Sequence, residues 1–397
     1  MYILQDSLFT LQELLEMESN DRFSIFFKEL DLRPYAAMLK SKSPQGAQGH
    51  SREAILRALL IAPLEGYFTF TALHRRLDSD ISFRYRCGFS LEDKAPSIST
   101  LSRTFRQLTD QGLLDQLFND LVQRCWDEGI IDGTTIAIDS TAIDAYEKKR
   151  PKSRCQQKDE ASWGAKRDSF GNLLTWFGYK AHLAVDTASE LPVAIEVTPA
   201  HITDGEIGPS LVEKAAQSVS FTYVTGDAGY DQKRNYEVVK AHGAQAIIPL
   251  NLRNEKEPPS GFSSIGTPRC SMGYDMTYWG TDGSHLKFRC PHATGHVECP
   301  HGTTWCSPSN YGMVKKVDVD QDVRRFSQPH RGTRHWNETY KQRSSVERVN
   351  SRMKDHLTSD DLHVRKLKKV TTYIILNAIV LLASSLAAKR TIAQNAA

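Results

Sequence analysis

The chain has 397 residues, a hydrophobic fraction of 40%, a charged fraction of 24% and a formal net charge of +3, an ordinary globular composition with room for two or three domains. Seven cysteines, an odd number in so long a chain, exclude a secreted disulfide framework. The charge is too near zero to imply a polyanionic partner, so local clusters carry that question. The opening MYILQDSLFTLQELLEMESND has early acids, no basic start and no small-residue cleavage site, and does not read as a signal peptide.

Residues 20–125 read as helical. In 51-SREAILRALLIAPLEGY-67, Ile55, Ala58, Leu59 and Ala62 share one face after a Ser51 cap. In 96-PSISTLSRTFRQL-108, Leu101, Phe105 and Leu108 point one way and leave Arg103 and Arg106 outward. Short helices joined by a turn, the later one bearing arginines, suit docking into a DNA major groove. They equally suit a helical bundle with a solvated face.

The character changes near residue 133. The β-branched start of 134-TTIAIDSTAIDAY-146 predicts a strand running into Asp139, and 178-GYKAHLAVDTASELPVAIEVTP-199 predicts two strands joined by a short turn. A helix over 205–217, a strand 221-FTYVTGDAGYD-231 reaching Asp227, a helix near 232–242 and a strand 244–250 complete a mixed α/β plan. Asp139 and Asp227 both end strand-like runs, where ligand chemistry gathers in open α/β sheets. Acids there can also be turn caps, as Asp132, Asp144, Asp186 and Asp231 warn.

Between 147 and 160 the chain reads EKKRPKSRCQQKDE, with Lys148, Lys149, Arg150, Lys152, Arg154 and Lys158. A second basic run, 363-HVRKLKKV-370, comes late. Each is either a solvated surface or a track for a phosphate backbone. Trp163, Trp176 and Phe177 read as core, with base stacking as the alternative. Residues 251–325, rich in Gly, Pro and Ser, read as an insertion with its own organisation. Its Cys270, Cys290, Cys299 and Cys306, joined by His292, His296 and His301, are candidates for a structural zinc site, although no Cys-x2-Cys pair occurs. Free thiols are the alternative.

The segment 339-TYKQRSSVERVNSRMK-354 contains neither Gly nor Pro. As one helix it places Tyr340, Arg343, Glu347 and Lys354 in a stripe about 60° wide, with Val346, Val349, Met353 and Leu357 on another. Arg343 and Glu347 also form an i,i+4 pair, worth only ~0.2–0.5 kcal/mol on an exposed helix. The apolar run 370-VTTYIILNAIVLLASSLAA-388 is long enough for a membrane span. Its Thr371, Thr372, Asn377, Ser384 and Ser385 favour a buried terminal helix instead, and the prediction is no membrane.

On TTIAIDST, GYKAHLAVD, VTGDAGYD and SSVERVNSRMK, and above all on the spacing Tyr-x2-Arg-x3-Glu-x6-Lys, matched by Tyr340, Arg343, Glu347 and Lys354, the chain resembles bacterial insertion-sequence DDE transposases. The resemblance implies an α/β fold: a ribonuclease-H-like catalytic core over 129–250 and 326–397, interrupted by a subdomain at 251–325 and preceded by a helical DNA-binding or dimerisation domain over 1–128. It implies a catalytic, metal-binding triad of Asp139, Asp227 and Glu347 holding two Mg2+ ions, with Mn2+ as a substitute. Tyr340, Arg343 and Lys354 would contact DNA phosphates, beside Lys148, Lys149, Arg150, Arg103 and Arg106.

The function so implied is cleavage at an element's terminal inverted repeats and strand transfer into target DNA, by a homodimer on double-stranded DNA in the cytoplasm, associated with the nucleoid. A nuclease of the same fold that never joins strands, and an inactive DNA-binding derivative, are the alternatives. A membrane-anchored protein would rest on 370–388 alone.

Overall fold

The computed structural model describes residues 9–17, 22–39, 49–67, 69–92, 94–151, 160–167, 170–253 and 255–396. The predicted basic residues Lys152, Arg154 and Lys158, and Cys155, lie outside them.

The first part is helical: α1 (Leu11–Met17), α2 (Arg22–Lys28), α3 (Arg33–Met38), α4 (Arg52–Leu64), α5 (Phe70–Ser79), α6 (Ile81–Arg86), α7 (Ile98–Gln111) and α8 (Leu113–Asp127). Their starts are set by side chains that accept from otherwise unpaired helix amides. Ser51 Oγ accepts from the Ala54 amide, Thr69 from Ala72, Asp80 from Phe83 and Ser97 from Thr100. Gly112, at φ +63°, ends α7 and opens α8 with no β-carbon penalty. The predicted faces are the buried ones: Ile55 and Leu59 on α4, and Leu101, Phe105 and Leu108 on α7.

A mixed sheet follows, built from β1 (Thr135–Asp144), β2 (Ser162–Arg167), β3 (Leu173–Asp186), β4 (Leu191–Pro199), β5 (Tyr223–Thr225) and β6 (Gln245–Ile247). The inner half of β3 lies antiparallel between β1 and β4, and its outer half pairs with β2. On its other side β1 runs parallel to β5, and β5 to β6. The crossovers are α9 (Asp204–Ala216) and α10 (Lys233–Ala241), so the carboxyl ends of β1 and β5 open at the same edge. The sequence reading missed β2 and the outer half of β3. Only Trp163 and Ala165 alternate with Ser162, Gly164 and Lys166, too short a signal to announce a strand, and the hairpin is held by backbone pairing and by Trp163 packed on Phe177.

Residues 277–318 form a separate antiparallel sheet, β7 (Thr277–Asp282), β8 (His285–Arg289) and β9 (Val314–Asp318). It has its own apolar cluster of Met276, Leu286, Phe288, Val317 and Phe326.

The chain then returns to the first sheet through α11 (Arg334–Lys341), α12 (Ser344–Leu357) and α13 (Leu367–Ala396). The single helix expected over 339–354 is two. Amides of Gln342, Arg343, Ser345 and Val346 bond three residues back instead of four, a tight turn between α11 and α12. Tyr340 therefore ends one helix and Arg343 precedes the next.

Helix α13 is long and apolar enough to cross a membrane, yet 83% of its most apolar stretch is buried. It packs against α2, α4, α7, α8 and β4, and one continuous apolar cluster joins it to the N-terminal helices and the sheet. Three of its polar interruptions are bonded: Asn377 Nδ2 donates to Leu357 O and Ser359 Oγ, both at 2.8 Å, although its Oδ1 is buried without a partner, and the Thr371 and Thr372 hydroxyls bond back along the helix. It is a core helix. Ile379 is fully buried at its centre. Ile379→Ala is expected to cost about 2–5 kcal/mol, read as a lower urea midpoint.

Candidate active site

Register places the first two acids. Ala137 pairs with Thr225 across the parallel β1–β5 ladder, and Asp139 and Asp227 each lie two residues further on. Asp227 follows the end of β5, whereas Asp139, expected at a strand end, lies midway along β1, which runs on to Asp144 in its pairing with β3. The two acids stand at one level just past the shared parallel ladder. Asp227 opens a tight turn whose Gly229 amide donates to its Oδ1 at 2.8 Å. Both carboxylates are half-buried.

Burial, the largest influence, raises the Asp139 pKa to about 7; the Ser140 amide and Arg343 oppose the rise, while Asp227 and Asp204 add to it. Burial likewise raises Asp227, helped by Asp204 and opposed by the Gly229 amide and Arg343. Other aspartates are structural. Asp186 accepts from the Gly133 and Ser189 amides and the Ser189 hydroxyl, and Asp231 from Arg324, Tyr236 and the Asn251 amide. Against these, the one side-chain donor on Asp139 among the described residues is Asn350 Nδ2, at 3.3 Å.

Helix α12 lies on that face of the sheet. Val346, Val349, Met353 and Leu357 are buried, as their spacing predicted. Arg348 and Arg352 each donate at 2.6 Å to Glu190, in the β3–β4 turn, and fix the helix against it. Glu347 stands one turn before Asn350. Its Oε1 accepts from Arg343 at 2.6 Å, and Arg343 also acts electrostatically on Asp139 and Asp227. The third acid thus shares the arginine that faces the other two. Among the described residues no three His, Cys, Asp or Glu side chains are closed into a metal cage. What fits a hard divalent cation is the donor set itself: carboxylate oxygens whose negative charge is disfavoured without a counter-charge.

Sequence reasoning missed a second layer. Strand alternation sends Asp139 toward α12 and Ser140 toward α9. Ser140 Oγ and Lys180 Nζ donate to Asp204 Oδ1 at 2.8 and 2.9 Å. His182, fully buried, has Nδ1 3.9 Å from the same oxygen, and burial drives its pKa down to about 4. The signals, GYKAH and ITDGE, lie far apart in sequence and are joined by register alone.

Tyr340 stacks on Trp336 with ring centroids 5.0 Å apart, and the Arg343 guanidinium lies 5.9 Å from the Tyr340 ring. Lys354 is half-buried; burial first, then Lys166, lower its pKa, so two cations converge there. Lys149 sits 6.0 Å above the Trp163 ring, Lys148 is exposed, and Arg150 is paired with Glu160 at 2.6 Å. Phe177 is core; Trp163 and Trp176 flank it half-buried. Arg103 and Arg106 are exposed on α7, Arg103 bonding only locally to Ser99 O and Thr100. Cys270, Cys290, Cys299 and Cys306 border one small cavity with His292 but are not gathered tightly enough to hold an ion, so the zinc expectation gains no support.

The family model "Transposase DDE domain" matches residues 129–383, and "Transposase domain (DUF772)" matches residues 10–107. Probable transposases for insertion sequence element ISH11 from two strains of Halobacterium salinarum are each 22% identical over 254 residues, covering 64% of this chain and 69% of theirs. The piggyBac transposase synaptic complex with hairpin DNA is a distant likeness, 13% identical with a TM-score of 0.41, covering 97% of this chain and 76% of that one.

The raised Asp139 pKa has a consequence for stability. A carboxyl whose pKa is higher folded than unfolded stabilises the protein at low pH, and that contribution is lost as pH rises from about 4 to about 7. With a chelator present, Asp139→Asn is therefore expected to raise the unfolding free energy by on the order of 4 kcal/mol at pH 8. The gain should vanish below about pH 4, which urea unfolding across that range will check.

Proposed function

We propose a DNA-breaking and DNA-joining function for this chain, which belongs to the transposase DDE-domain family: it binds the terminal inverted repeats of an insertion sequence, cleaves there, and transfers the 3′ ends to target DNA. The observation that carries the reading is that Asp139 on β1 and Asp227 just past β5 lie at one level beyond their parallel ladder, beside a helix whose start offers Arg343 and Glu347.

The family uses divalent metal ions, and Asp139, Asp227 and Glu347 are the residues that would hold two Mg2+, or Mn2+ in their place. Such ions supply an activated oxygen nucleophile and neutralise charge on the attacked phosphate. The protein's part is positioning. Arg343, just before α12, can grip a phosphate bidentately, with Tyr340 held by Trp336 at that same end, and Lys354 in the last turn of α12 adds a point charge beside Lys166. A phosphate that engages Arg343 competes with Glu347 for its guanidinium and leaves that carboxylate available.

The strand order, an antiparallel meander followed by two parallel crossovers, supports a ribonuclease-H-like core over 129–250 and 326–397. In this reading 251–325 is an inserted subdomain, and 1–128 a helical DNA-binding or dimerisation domain presenting Arg103 and Arg106. Lys148, Lys149 and Arg150 would flank the DNA path. Two ends must be held together for joining, so the working form would be a homodimer on double-stranded DNA, in the cytoplasm at the nucleoid.

Glu347→Gln should abolish cleavage of end-bearing DNA in Mg2+ while leaving end binding within about twofold; equal loss of both would remove the metal role. Arg343→Ala and Lys354→Ala should each weaken end binding and reduce the salt dependence by roughly one phosphate contact, measured by anisotropy titration. Resolving the products separates the rival: nicked DNA with no joined product would mark a nuclease.

A further inference from the structure

The turn between β3 and β4, residues 187–190, is tied down from behind. Buried Asp186 accepts the Ser189 amide at 2.8 Å and the Ser189 hydroxyl at 2.6 Å, and its other oxygen takes the Gly133 amide at 2.9 Å. The Thr187 amide donates to Thr135 O and the Glu190 amide to Asp186 O. From this base the turn reaches across to the segment that carries the third acid. Thr187 Oγ1 donates to Gln342 Oε1 at 2.9 Å, in the break between α11 and α12. Glu190 takes one arginine of α12 on each carboxylate oxygen, Arg348 on Oε1 and Arg352 on Oε2.

Glu190 occupies a strained backbone position. Its φ is +55°, in the left-handed region, where a β-carbon crowds the chain and Gly fits without strain. The arginines it holds are 53% and 38% exposed, and surface ion pairs of that kind contribute little stability. Stability therefore does not account for a glutamate at this point. Direction does. Burial of Val346, Val349, Met353 and Leu357 holds α12 to the sheet, but apolar burial is non-directional and allows a helix a small roll. A roll of about 10° carries a side-chain tip, roughly 6 Å from the helix axis, through about 1 Å. A misplacement of about 1 Å at a reacting centre can lower a rate about a hundredfold. Arg348 is the immediate neighbour of Glu347, so anchoring the one sets the bearing of the other.

We propose that Glu190 is a positioning residue for the metal site: through Arg348 and Arg352 it sets the azimuth at which α12 presents the Glu347 carboxylate to ions shared with Asp139 and Asp227. The inference rests on the reading above in one respect, that Glu347 is a metal ligand. Glu190 itself meets neither ion nor phosphate and acts through the helix.

The test uses the full chain, with Mn2+ affinity read by calorimetric titration, end cleavage by single-turnover kinetics in saturating Mg2+, and end binding by anisotropy. Glu190→Gly removes the carboxylate and relaxes the turn. Its urea midpoint should equal the parent's or lie above it, since relief of the left-handed backbone offsets the lost ion pairs. End binding should stay within about twofold, whereas Mn2+ affinity and the cleavage rate should each fall about tenfold. The double variant Arg348→Ala, Arg352→Ala should show the same two losses, and adding Glu190→Gly to it should change neither by more than about twofold. In a Glu347→Gln background, Glu190→Gly should leave Mn2+ affinity unchanged, because the group it positions is gone.

A Glu190→Gly chain that binds Mn2+ and cleaves as its parent does would overturn this inference alone. So would a loss of Mn2+ affinity equal in size with and without the Glu347 carboxylate, the mark of a general structural defect, whatever the urea midpoint does. A parent chain that binds no Mn2+ and cleaves no ends would overturn the transposase reading and this inference with it. A parent that binds Mn2+ through Glu347 without cleaving would overturn that reading alone, and the Glu190–Glu347 comparison would still decide this one.

Discussion

Two carboxylates brought to one level on neighbouring strands, partly withdrawn from water, repel each other, and the organisation around them answers that repulsion. Burial raises both Asp139 and Asp227, the charge of Asp227 adds to the rise at Asp139 and that of Asp204 to both, and Arg343, just before α12, is the cation that offsets them. On the opposite face a further acid, Asp204, adds to the negative field, and Lys180 is paired directly to it. The surroundings therefore favour any positive species that enters. They also limit what can change: the same arginine serves three acids, so its loss alters their charge balance together.

Helix α12 is where packing and electrostatics meet. Its apolar side is set by four residues at helical spacing, its azimuth by the two arginines on Glu190, and its relation to the sheet by the Asn350–Asp139 contact. None of these contacts is with Glu347, yet together they decide where Glu347 stands. An exposed i,i+4 ion pair contributes little stability. The Arg343–Glu347 pair matters here through where it points.

Much of this was legible in the sequence. β-branched runs before Asp139 and Asp227 announced their strands, although β1 runs on past Asp139 to Asp144; Ser51 announced its cap, and the periodicity of α12 its buried side. The polar interruptions of residues 370–388 argued for a core helix, and Asn377 Nδ2 meets its partners there. Other features carry no local signal. The break at Gln342–Arg343 contains neither Gly nor Pro, so a single helix was the natural reading of 339–354. Strand β2 alternates only through Trp163 and Ala165, too short a signal, and is held by backbone pairing to β3 and by Trp163 on Phe177. The Ser140–Lys180–Asp204 group depends on ladder register across a sheet, which no window of residues contains. The cysteines give the converse lesson: His and Cys in close sequence suggested a metal, but proximity along the chain did not become a tetrahedral cage.

Helix α13 has a bearing on how the protein is made. It is synthesised after every element it touches, yet it fills the space between the N-terminal helices and the sheet. Until it emerges from the ribosome, Leu59 on α4, Leu117 on α8 and Val193 on β4 belong to a core without its last wall. Neither half can close early. The nascent chain must wait, with apolar surface open, for its final helix to dock, and a message truncated before that helix would yield an aggregating product instead of a smaller working one.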